Sequence, residues 1–372
     1  MSTQGHTPEV LVVGGGVIGL ALAWRARQRG LTVLVLERDR VGERCASAVA
    51  AGMLAPVSEV EFGDAGRRAL ELGVRSAAIW PAFAAELERA SDISLGLRSS
   101  GTLLVARDAD EAHELERQIV LREELGLGAV RLTPSAAREL EPALAPTVRL
   151  ALHAPSDHSV DPRRVLEALR RACLDSGVQL REYAPVAGLE LAGQDGPVSG
   201  VVLADDERLH AGCVVIAAGA WTADLEGLPS DARVPVRPLK GQIVRLRDPE
   251  GAGLLQHVLR YAGGYVVPRG DGRYVLGATM EERGFDAQPT AAGVYELLRH
   301  ARELVPGILE HQIEELSVGF RPSSPDNLPV IGRGAVDGLL WATGHHRNGV
   351  LLAPLTAELV ADVLAGAAGD DA

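Results

Sequence analysis

The sequence predicts an α/β protein in which a Rossmann-like dinucleotide-binding domain is interleaved with a domain built on an antiparallel sheet. Three stretches predict this fold. Residues 9–39 combine a strand, a glycine-rich turn, a helix and a second strand, and residues 213–221 (CVVIAAGAW) form a further buried strand ending in Ala-Gly. From Val234 onward, short β runs replace the βα units. At 372 residues the chain exceeds the size at which one core stops growing, so we expect two domains.

The glycine-rich turn after the first strand has the spacing G-x-G-x-x-G at Gly14, Gly16 and Gly19. The first glycine permits the tight turn, the second lets the backbone approach a pyrophosphate, and the third lets the helix lie close to the strand. Glu37 ends the second strand, where an acid accepts hydrogen bonds from a ribose 2′-OH. The unit predicts a dinucleotide site, and at this point both NAD and FAD fit it.

The remaining elements follow from periodicity and from start and stop residues. Asp161 and Pro162 open a helix that Gly177 closes, and Gly270-Asp271-Gly272 is a hairpin turn between two strands. We also predict helices at residues 67–90, 110–125, 294–304 and 351–364, strands at 101–106, 178–182 and 339–342, and a frayed tail at 366–372.

The run CASAVAAGMLAP at residues 45–56 is small and nearly uncharged. Such a segment either lies against a flat ligand or packs closely against a helix, and composition alone leaves both interpretations open.

Charge and composition exclude several classes of function. A net charge of −13 argues against nucleic acid and an anionic membrane surface. The N-terminus lacks a leader pattern and no apolar run reaches membrane-spanning length, so we expect a cytoplasmic protein. Three widely spaced cysteines fit neither a disulfide framework nor a metal site. Lys240 is the only lysine among 37 basic residues. Either this is chance, or an ammonium is needed beside the cofactor or among backbone carbonyls.

Several motifs occur together and in order: GGGVIG with Glu37, AAGMLAP, VVIAAGAW, PLKGQ, YVVPRGDGRYVLGATMEE, VGFRP and ATGHHRNGVLLAP. This set resembles the D-amino acid oxidase superfamily, and within it the glycine oxidases of thiamine biosynthesis. The resemblance covers nearly the whole chain and implies FAD as the cofactor. Relatives that bind FAD covalently use a cysteine in the C-terminal third or a histidine just behind the glycine-rich turn. Because this chain has neither, we expect noncovalent FAD.

The resemblance also implies which residues contact FAD. A helix beginning near Asn348 would direct the positive end of its dipole at the flavin N1–C2=O edge. The implied cofactor contacts are Gly14, Gly15, Gly16, Val17, Ile18, Gly19, Glu37, Arg38, Ser47, Ala48, Gly52, Met53, Leu54, Val186, Gly219, His345, His346, Arg347, Asn348, Gly349, Val350 and Leu351.

Four residues match substrate-side positions of the family. Arg321 in GFRP would bind the substrate carboxylate, since a guanidinium presents a bidentate fork, although an arginine can equally form a structural ion pair. Tyr265 would add a hydrogen bond or simply be a strand aromatic. Met280 would roof the pocket, and Arg347 lies where both flavin and substrate contacts occur. His345 and His346 are either flavin neighbours or solvated turn residues.

The implied reaction is oxidation of glycine, and of small amines such as sarcosine, by hydride transfer to FAD. O₂ would become H₂O₂, and the imine would supply thiazole synthesis or hydrolyse to glyoxylate and ammonia. The expected partners are a small amino acid, O₂, thiazole-synthesis enzymes and a second copy of the chain, without nucleic acid or membrane. Two alternatives remain: a D-amino acid dehydrogenase that reduces a quinone, and a non-catalytic flavin-binding protein.

The motifs predict a discontinuous division of the chain. The small-residue motifs place residues 1–84, 148–233 and 324–372 in the FAD-binding domain, and the antiparallel runs place 85–147 and 234–323 in the substrate-binding domain.

Overall fold

A computed structural model describes residues 7–193, 196–251 and 253–366. The strands are β1 (Val10–Val13), β2 (Val33–Leu36), β3 (Met53–Leu54), β4 (Thr102–Ala106), β5 (Val130–Leu132), β6 (Leu150–Ala154), β7 (His158–Ser159), β8 (Gln179–Arg181), β9 (Val186–Leu191), β10 (Val198–Leu203), β11 (Arg208–His210), β12 (Cys213–Ile216), β13 (Arg237–Arg247), β14 (Val258–Tyr261), β15 (Gly264–Pro268), β16 (Arg273–Gly277), β17 (Gln312–Ser323), β18 (Val330–Arg333) and β19 (Leu339–Thr343). The α-helices are α1 (Val17–Gln28), α2 (Ala46–Val49), α3 (Gly63–Ser91), α4 (Ala109–Glu124), α5 (Pro134–Leu140), α6 (Pro162–Ser176), α7 (Ala291–Leu304) and α8 (Gly349–Leu364).

Six strands form the sheet that carries the glycine-rich turn, in the order β18-β19-β12-β1-β2-β8. All neighbours are parallel except β18 and β19. Successive residues of a strand point to opposite faces. Val10 and Val12 therefore pack against α1, α3, α6 and α8, whereas Leu11 and Val13 pack against the three-stranded sheet β11-β10-β9. Both faces are covered, which explains why β1 is continuously apolar.

Eight strands form the second large sheet, in the order β17-β13-β16-β15-β14-β4-β6-β5. Its neighbours are antiparallel except β14 and β4, and α7 packs on one face. The predicted α/β fold with an antiparallel sheet is therefore confirmed. The domain ranges stay a prediction. β6 begins at Leu150, inside the range assigned to the FAD-binding domain, yet it pairs with β4 in this second sheet.

The predicted start and stop of α6 are confirmed. The Asp161 side chain accepts a hydrogen bond from the Arg163 amide at 3.1 Å, Pro162 is the first helical residue, and Gly177 ends the helix with φ +89°. The hairpin at Gly270-Asp271-Gly272 joins the antiparallel strands β15 and β16, also as predicted. The expected fraying of the C-terminal tail concerns residues 367–372, which lie outside the described residues.

The helices have no membrane-spanning candidate. Across residues 7–193, 196–251 and 253–366, none is both long enough and apolar enough to cross a bilayer.

Candidate active site

A cavity of about 920 Å³ is lined by residues from both large sheets. Its size is typical of a site for a cofactor or another small molecule. Of the residues implied as cofactor contacts, it is lined by Gly14, Gly16, Val17, Ile18, Glu37, Arg38, Ser47, Gly52, Met53, Val186, Gly219, His345, His346, Arg347, Gly349 and Val350. The cavity is also lined by the four residues implied on the substrate side, which are Tyr265, Met280, Arg321 and Arg347.

Six implied cofactor residues lie off the cavity wall. Ala48, Leu54 and Leu351 are buried in the core beneath it. Gly15 faces Val41 and Glu37, and Gly19 packs on Gly14. Asn348 lines a smaller neighbouring hollow.

The glycine-rich turn has the geometry of a phosphate-binding loop. Gly14 adopts φ +109°, and a Cβ there would overlap the carbonyl oxygen of Ala217. A Cβ on Gly19 would overlap the carbonyl oxygen of Gly14, so α1 can lie this close only with glycine there. Gly16 caps α1 without a side-chain hydrogen bond, and the nearest atom to a Cβ there is Ser47 Oγ at 3.8 Å. The amide of Val17 donates to Ser47 Oγ at 3.3 Å, and the N-terminus of α1 lies at the cavity wall, where helix amides can bind an anion.

Glu37 follows β2 at the same end of the cavity. Its carboxylate accepts hydrogen bonds from the amide of Gly15 at 2.7 Å and of Asp39 at 3.2 Å. Burial raises the pKa of Glu37, and these two amides partly oppose that effect. The carboxylate is thus fixed at the end of β2, the position expected for contact with a ribose.

An aromatic stack, which the sequence did not reveal, lies beside Glu37. The guanidinium of Arg38 is 3.5 Å from the centre of the Trp221 ring, and Trp221 stacks on Phe285 at 5.1 Å. Trp221 belongs to the motif CVVIAAGAW, but its neighbour Phe285 comes from the segment after β16. Arg38 and Trp221 therefore line this end of the cavity as a stacked pair, and Phe285 packs against Trp221.

The small-residue run at 45–56 serves both purposes that composition left open. Ser47, Gly52 and Met53 line the cavity, whereas Ala48 and Leu54 are buried in the core.

The turn between β19 and α8 brings a second helix N-terminus to the cavity. Asn348 caps α8 without a side-chain hydrogen bond. His345 is buried and its Nε2 lies 3.0 Å from Thr356 Oγ1, and burial lowers the pKa of His345 to about 3. Burial, with the charges of Arg347 and Arg321, lowers the pKa of His346 to about 4. Both histidines are therefore uncharged near neutral pH, and neither is a solvated turn residue.

Arg321 presents a guanidinium without a carboxylate partner. Its Nη1 donates to the carbonyl oxygens of Thr279 at 3.1 Å and Lys240 at 3.4 Å, and it forms no ion pair with any acid in the described part of the chain. Burial lowers the pKa of Arg321. Arg321 is half-buried at the cavity wall, and a partly desolvated charge without an acidic partner favours a site for an anionic ligand.

Tyr265 and Met280 complete the wall around Arg321. Burial raises the pKa of Tyr265, although the charge of Arg321 opposes this, so the phenol keeps its proton and can donate a hydrogen bond. Met280 is 58% exposed at the edge of the cavity, where it borders the opening.

Arg347 differs from Arg321 because it already has acidic partners. Its Nη2 lies 3.0 Å from Glu61 Oε1, and its Nε lies 3.8 Å from Glu59 Oε2. Glu59 raises the pKa of Arg347. Of the two arginines, Arg321 is therefore the one available to bind a carboxylate.

Glu59 and Arg260 are cavity residues that the sequence did not single out. Arg260 Nε lies 3.6 Å from Glu59 Oε1, and both residues line the cavity. Glu59 follows the small-residue run closely, which was the available signal, but no periodic pattern marks it.

Comparisons with known proteins agree with this geometry. Residues 9–363 match the model of the family described as FAD dependent oxidoreductase (DAO). The bifunctional protein ThiO/ThiG of Synechocystis is 36% identical over 364 residues, which cover 96% of this chain and 52% of that protein. The chain thus spans about half the length of this bifunctional relative.

Two further comparisons concern proteins of similar length. The glycine oxidase of Geobacillus kaustophilus is 36% identical over 363 residues, 96% of this chain and 93% of that protein. Its crystal structure superimposes with a TM-score of 0.89 at 35% identity, covering 98% of this chain and 96% of that one.

Proposed function

The chain belongs to the family of FAD dependent oxidoreductases, and we propose that it oxidises glycine and similarly small amines. Its similarity to glycine oxidases along nearly the whole length supports this substrate class. The observation that carries the proposal is Arg321, a half-buried guanidinium with no acidic partner among the described residues, in the same cavity as the dinucleotide-binding turn.

The residues of the cavity fit FAD. The glycine-rich N-terminus of α1 suits a pyrophosphate, Glu37 suits a ribose, and the N-terminus of α8, where Asn348 makes no capping hydrogen bond, suits the flavin edge that becomes negative on reduction. When bound, FAD supplies the acceptor for the hydride of the substrate.

The substrate-side residues have separate tasks. Arg321 binds the carboxylate through its fork, and the protonated phenol of Tyr265 donates a further hydrogen bond. Met280 borders the opening, where its apolar side chain limits the access of water. The α-carbon loses hydride rather than a proton, so no protein base on carbon is required.

We expect FAD to be held without a covalent bond. Cys45 lines the cavity, but burial raises the pKa of its thiol, so the reactive thiolate is disfavoured. Acid precipitation of the purified protein should release all of its flavin, and flavin retained by the pellet would contradict this expectation.

We also propose that O₂ reoxidises the flavin and forms H₂O₂, and that the imine supplies thiazole formation for thiamine. The bifunctional ThiO/ThiG relatives, of which this chain matches about half, support a partner in that pathway.

The deciding experiment supplies glycine to the FAD-loaded protein in air and measures oxygen uptake and peroxide together. We expect stoichiometric peroxide, and bleaching of the flavin when oxygen is removed. Bleaching with electron transfer to a quinone but not to oxygen would favour a dehydrogenase. A flavin that no small amino acid bleaches would favour a non-catalytic flavin-binding protein.

A further inference from the structure

The substrate end of the cavity holds three guanidinium groups and one carboxylate close together. Arg260, Arg321 and Arg347 all line it, together with Glu59. Arg260 lies directly opposite Tyr265 in the β14–β15 ladder, so the two side chains share a face of the sheet. A substrate therefore meets the charges of these four residues, and Glu296 of α7 also lines the cavity.

Glu59 is placed between two of the arginines. Its carboxylate oxygens lie 3.6 Å from Arg260 Nε and 3.8 Å from Arg347 Nε, and its side chain is only 13% exposed. Burial alone would raise the pKa of Glu59, but the charges of Arg347, Arg260 and Arg321 outweigh it and hold the pKa below its usual value. Glu59 is therefore ionised at neutral pH.

Two buried charged residues fix the backbone just before Glu59. Asp157 accepts hydrogen bonds from the amides of Val57 at 3.0 Å and Ser58 at 2.8 Å. Arg122 donates to the carbonyl oxygens of the same two residues at 2.9 and 3.0 Å. Asp157 and Arg122 are at most 1% exposed. The position of Glu59 is therefore held firmly, which a surface acid would not need.

We propose that Glu59 determines specificity by restricting the site to substrates with a single carboxylate. Glu59 neutralises Arg260, and Glu59 and Glu61 both neutralise Arg347. Of these three arginines, Arg321 is therefore the one without an acidic partner among the described residues. A second carboxylate on the substrate would meet the negative charge of Glu59 instead of a free cation. This inference rests on the proposed oxidation of small amino acids.

The test compares ligands with one and two carboxylates. Acetate and malonate are titrated into the FAD-loaded protein and followed by the change in flavin absorbance, which needs no turnover. Glycine and iminodiacetate are then compared as substrates. Glu59→Gln should raise the ratio of malonate to acetate affinity about tenfold, and the kcat/KM ratio of iminodiacetate to glycine should rise similarly.

Three further variants separate specificity from structural damage. Glu59→Asp keeps the charge and should keep both ratios near wild type. Glu61→Gln removes the exposed partner of Arg347 and should change them much less. Arg260→Gln removes a cation that neutralises Glu59, so it should lower the ratio of malonate to acetate affinity. This variant provides the test if Glu59→Gln does not retain flavin.

Unchanged ratios in Glu59→Gln, or in Arg260→Gln if that variant must decide, would overturn the inference while leaving glycine oxidation intact. A wild-type protein that binds FAD, but neither binds acetate nor oxidises glycine, would overturn the proposed function and this inference with it.

Discussion

The guanidinium of Arg321 lies against the backbone of Gly241, in the space that any side chain at position 241 would occupy. A Cβ on Gly241 would overlap Arg321 Nη1 and would stand 2.7 Å from Nη2 and 2.8 Å from Cζ. Strand β13 thus shapes the proposed carboxylate site through the absence of a side chain at position 241. The glycine of the motif PLKGQ therefore has a physical role, because it leaves room for the guanidinium of Arg321.

Gly241→Ala should displace the Arg321 guanidinium without touching the dinucleotide-binding turn. Because a shift of about 1 Å in a binding group can cost up to a hundredfold in efficiency, we expect the glycine KM to rise at least about tenfold. FAD affinity should stay within about twofold of wild type. Gly307→Ala is the matched control, since the nearest atom to a Cβ there is 3.6 Å away. An unchanged KM in Gly241→Ala would show that Arg321 tolerates the displacement or does not bind the substrate.

Arg321→Ala should keep the yellow flavin spectrum and raise the glycine KM steeply. Loss of a charge-assisted pair costs on the order of 1.5–3 kcal/mol, about ten- to a hundredfold in affinity. Arg321→Lys keeps the charge but loses the fork and should fall between the two. Wild-type kcat/KM for glycine in Arg321→Ala would exclude the clamp and direct attention to Arg347.

Local features of the fold could be predicted from sequence because they depend on residues close together in the chain. The spacing of Gly14, Gly16 and Gly19, and the cap at Asp161, are of this kind. Pairings between distant segments were not predictable. The sequence predicts that residues 85–147, which include β4, belong to the substrate-binding domain, but nothing in it indicates that β4 pairs in parallel with β14 and antiparallel with β6.

The same limit applies to the site. Arg321 could be predicted because its motif resembles that of a known family. The role proposed for Glu59 depends instead on Arg260, which lies beside it only in the folded protein. Arg260 donates to the carbonyl oxygen of Ser58, 202 positions away in the sequence. No local sequence pattern predicts a contact between residues so far apart in the chain. Composition likewise cannot indicate which of the 50 acidic residues will be buried.

Protonation of Asp157 should stabilise the folded state relative to the unfolded state as the pH falls from 7 to 5. Burial raises the pKa of Asp157 from its ordinary 3.8 to about 6. Between these values the folded state keeps a proton that the unfolded state has lost, so this group lowers stability as pH rises and its effect levels off above about pH 6.

The measurement compares the free energy of unfolding of wild type and Asp157→Asn at both pH values with excess FAD. Buried histidines such as His345 act in the opposite direction in both proteins and cancel in the comparison. Relative to the variant, wild type should gain about 1 kcal/mol on acidification. An equal change in the two proteins would mean that Asp157 titrates normally.

Lys240 has the surroundings of an ammonium that holds a neighbouring segment in place. It is 0% exposed, and its Nζ lies 2.8 Å from Asp286 Oδ2 and 2.7 Å from the carbonyl oxygen of Gln288. Its backbone also exchanges hydrogen bonds with Glu281, both at 3.0 Å. Lys240 does not line the cavity, and its ammonium contacts one backbone carbonyl rather than a cluster of them.

Lys240→Met should therefore destabilise the protein by about 1.5–3 kcal/mol, the usual cost of lost hydrogen bonds to a charged group. Lys240→Arg should cost about 1–3 kcal/mol, because a wider guanidinium must enter a fully enclosed space. Both variants should also raise the glycine KM. The segment after β16, which Lys240 holds in place, includes Thr279, whose carbonyl oxygen accepts a hydrogen bond from Arg321. Urea unfolding of the FAD-loaded proteins measures the first effect and steady-state kinetics the second.

Arg237→Gln, which breaks an exposed ion pair with Glu282 on the same segment, is the control and should cost less than about 1 kcal/mol. If Lys240→Arg matched wild type in stability and KM, chance would suffice to explain why a single lysine remains at this position.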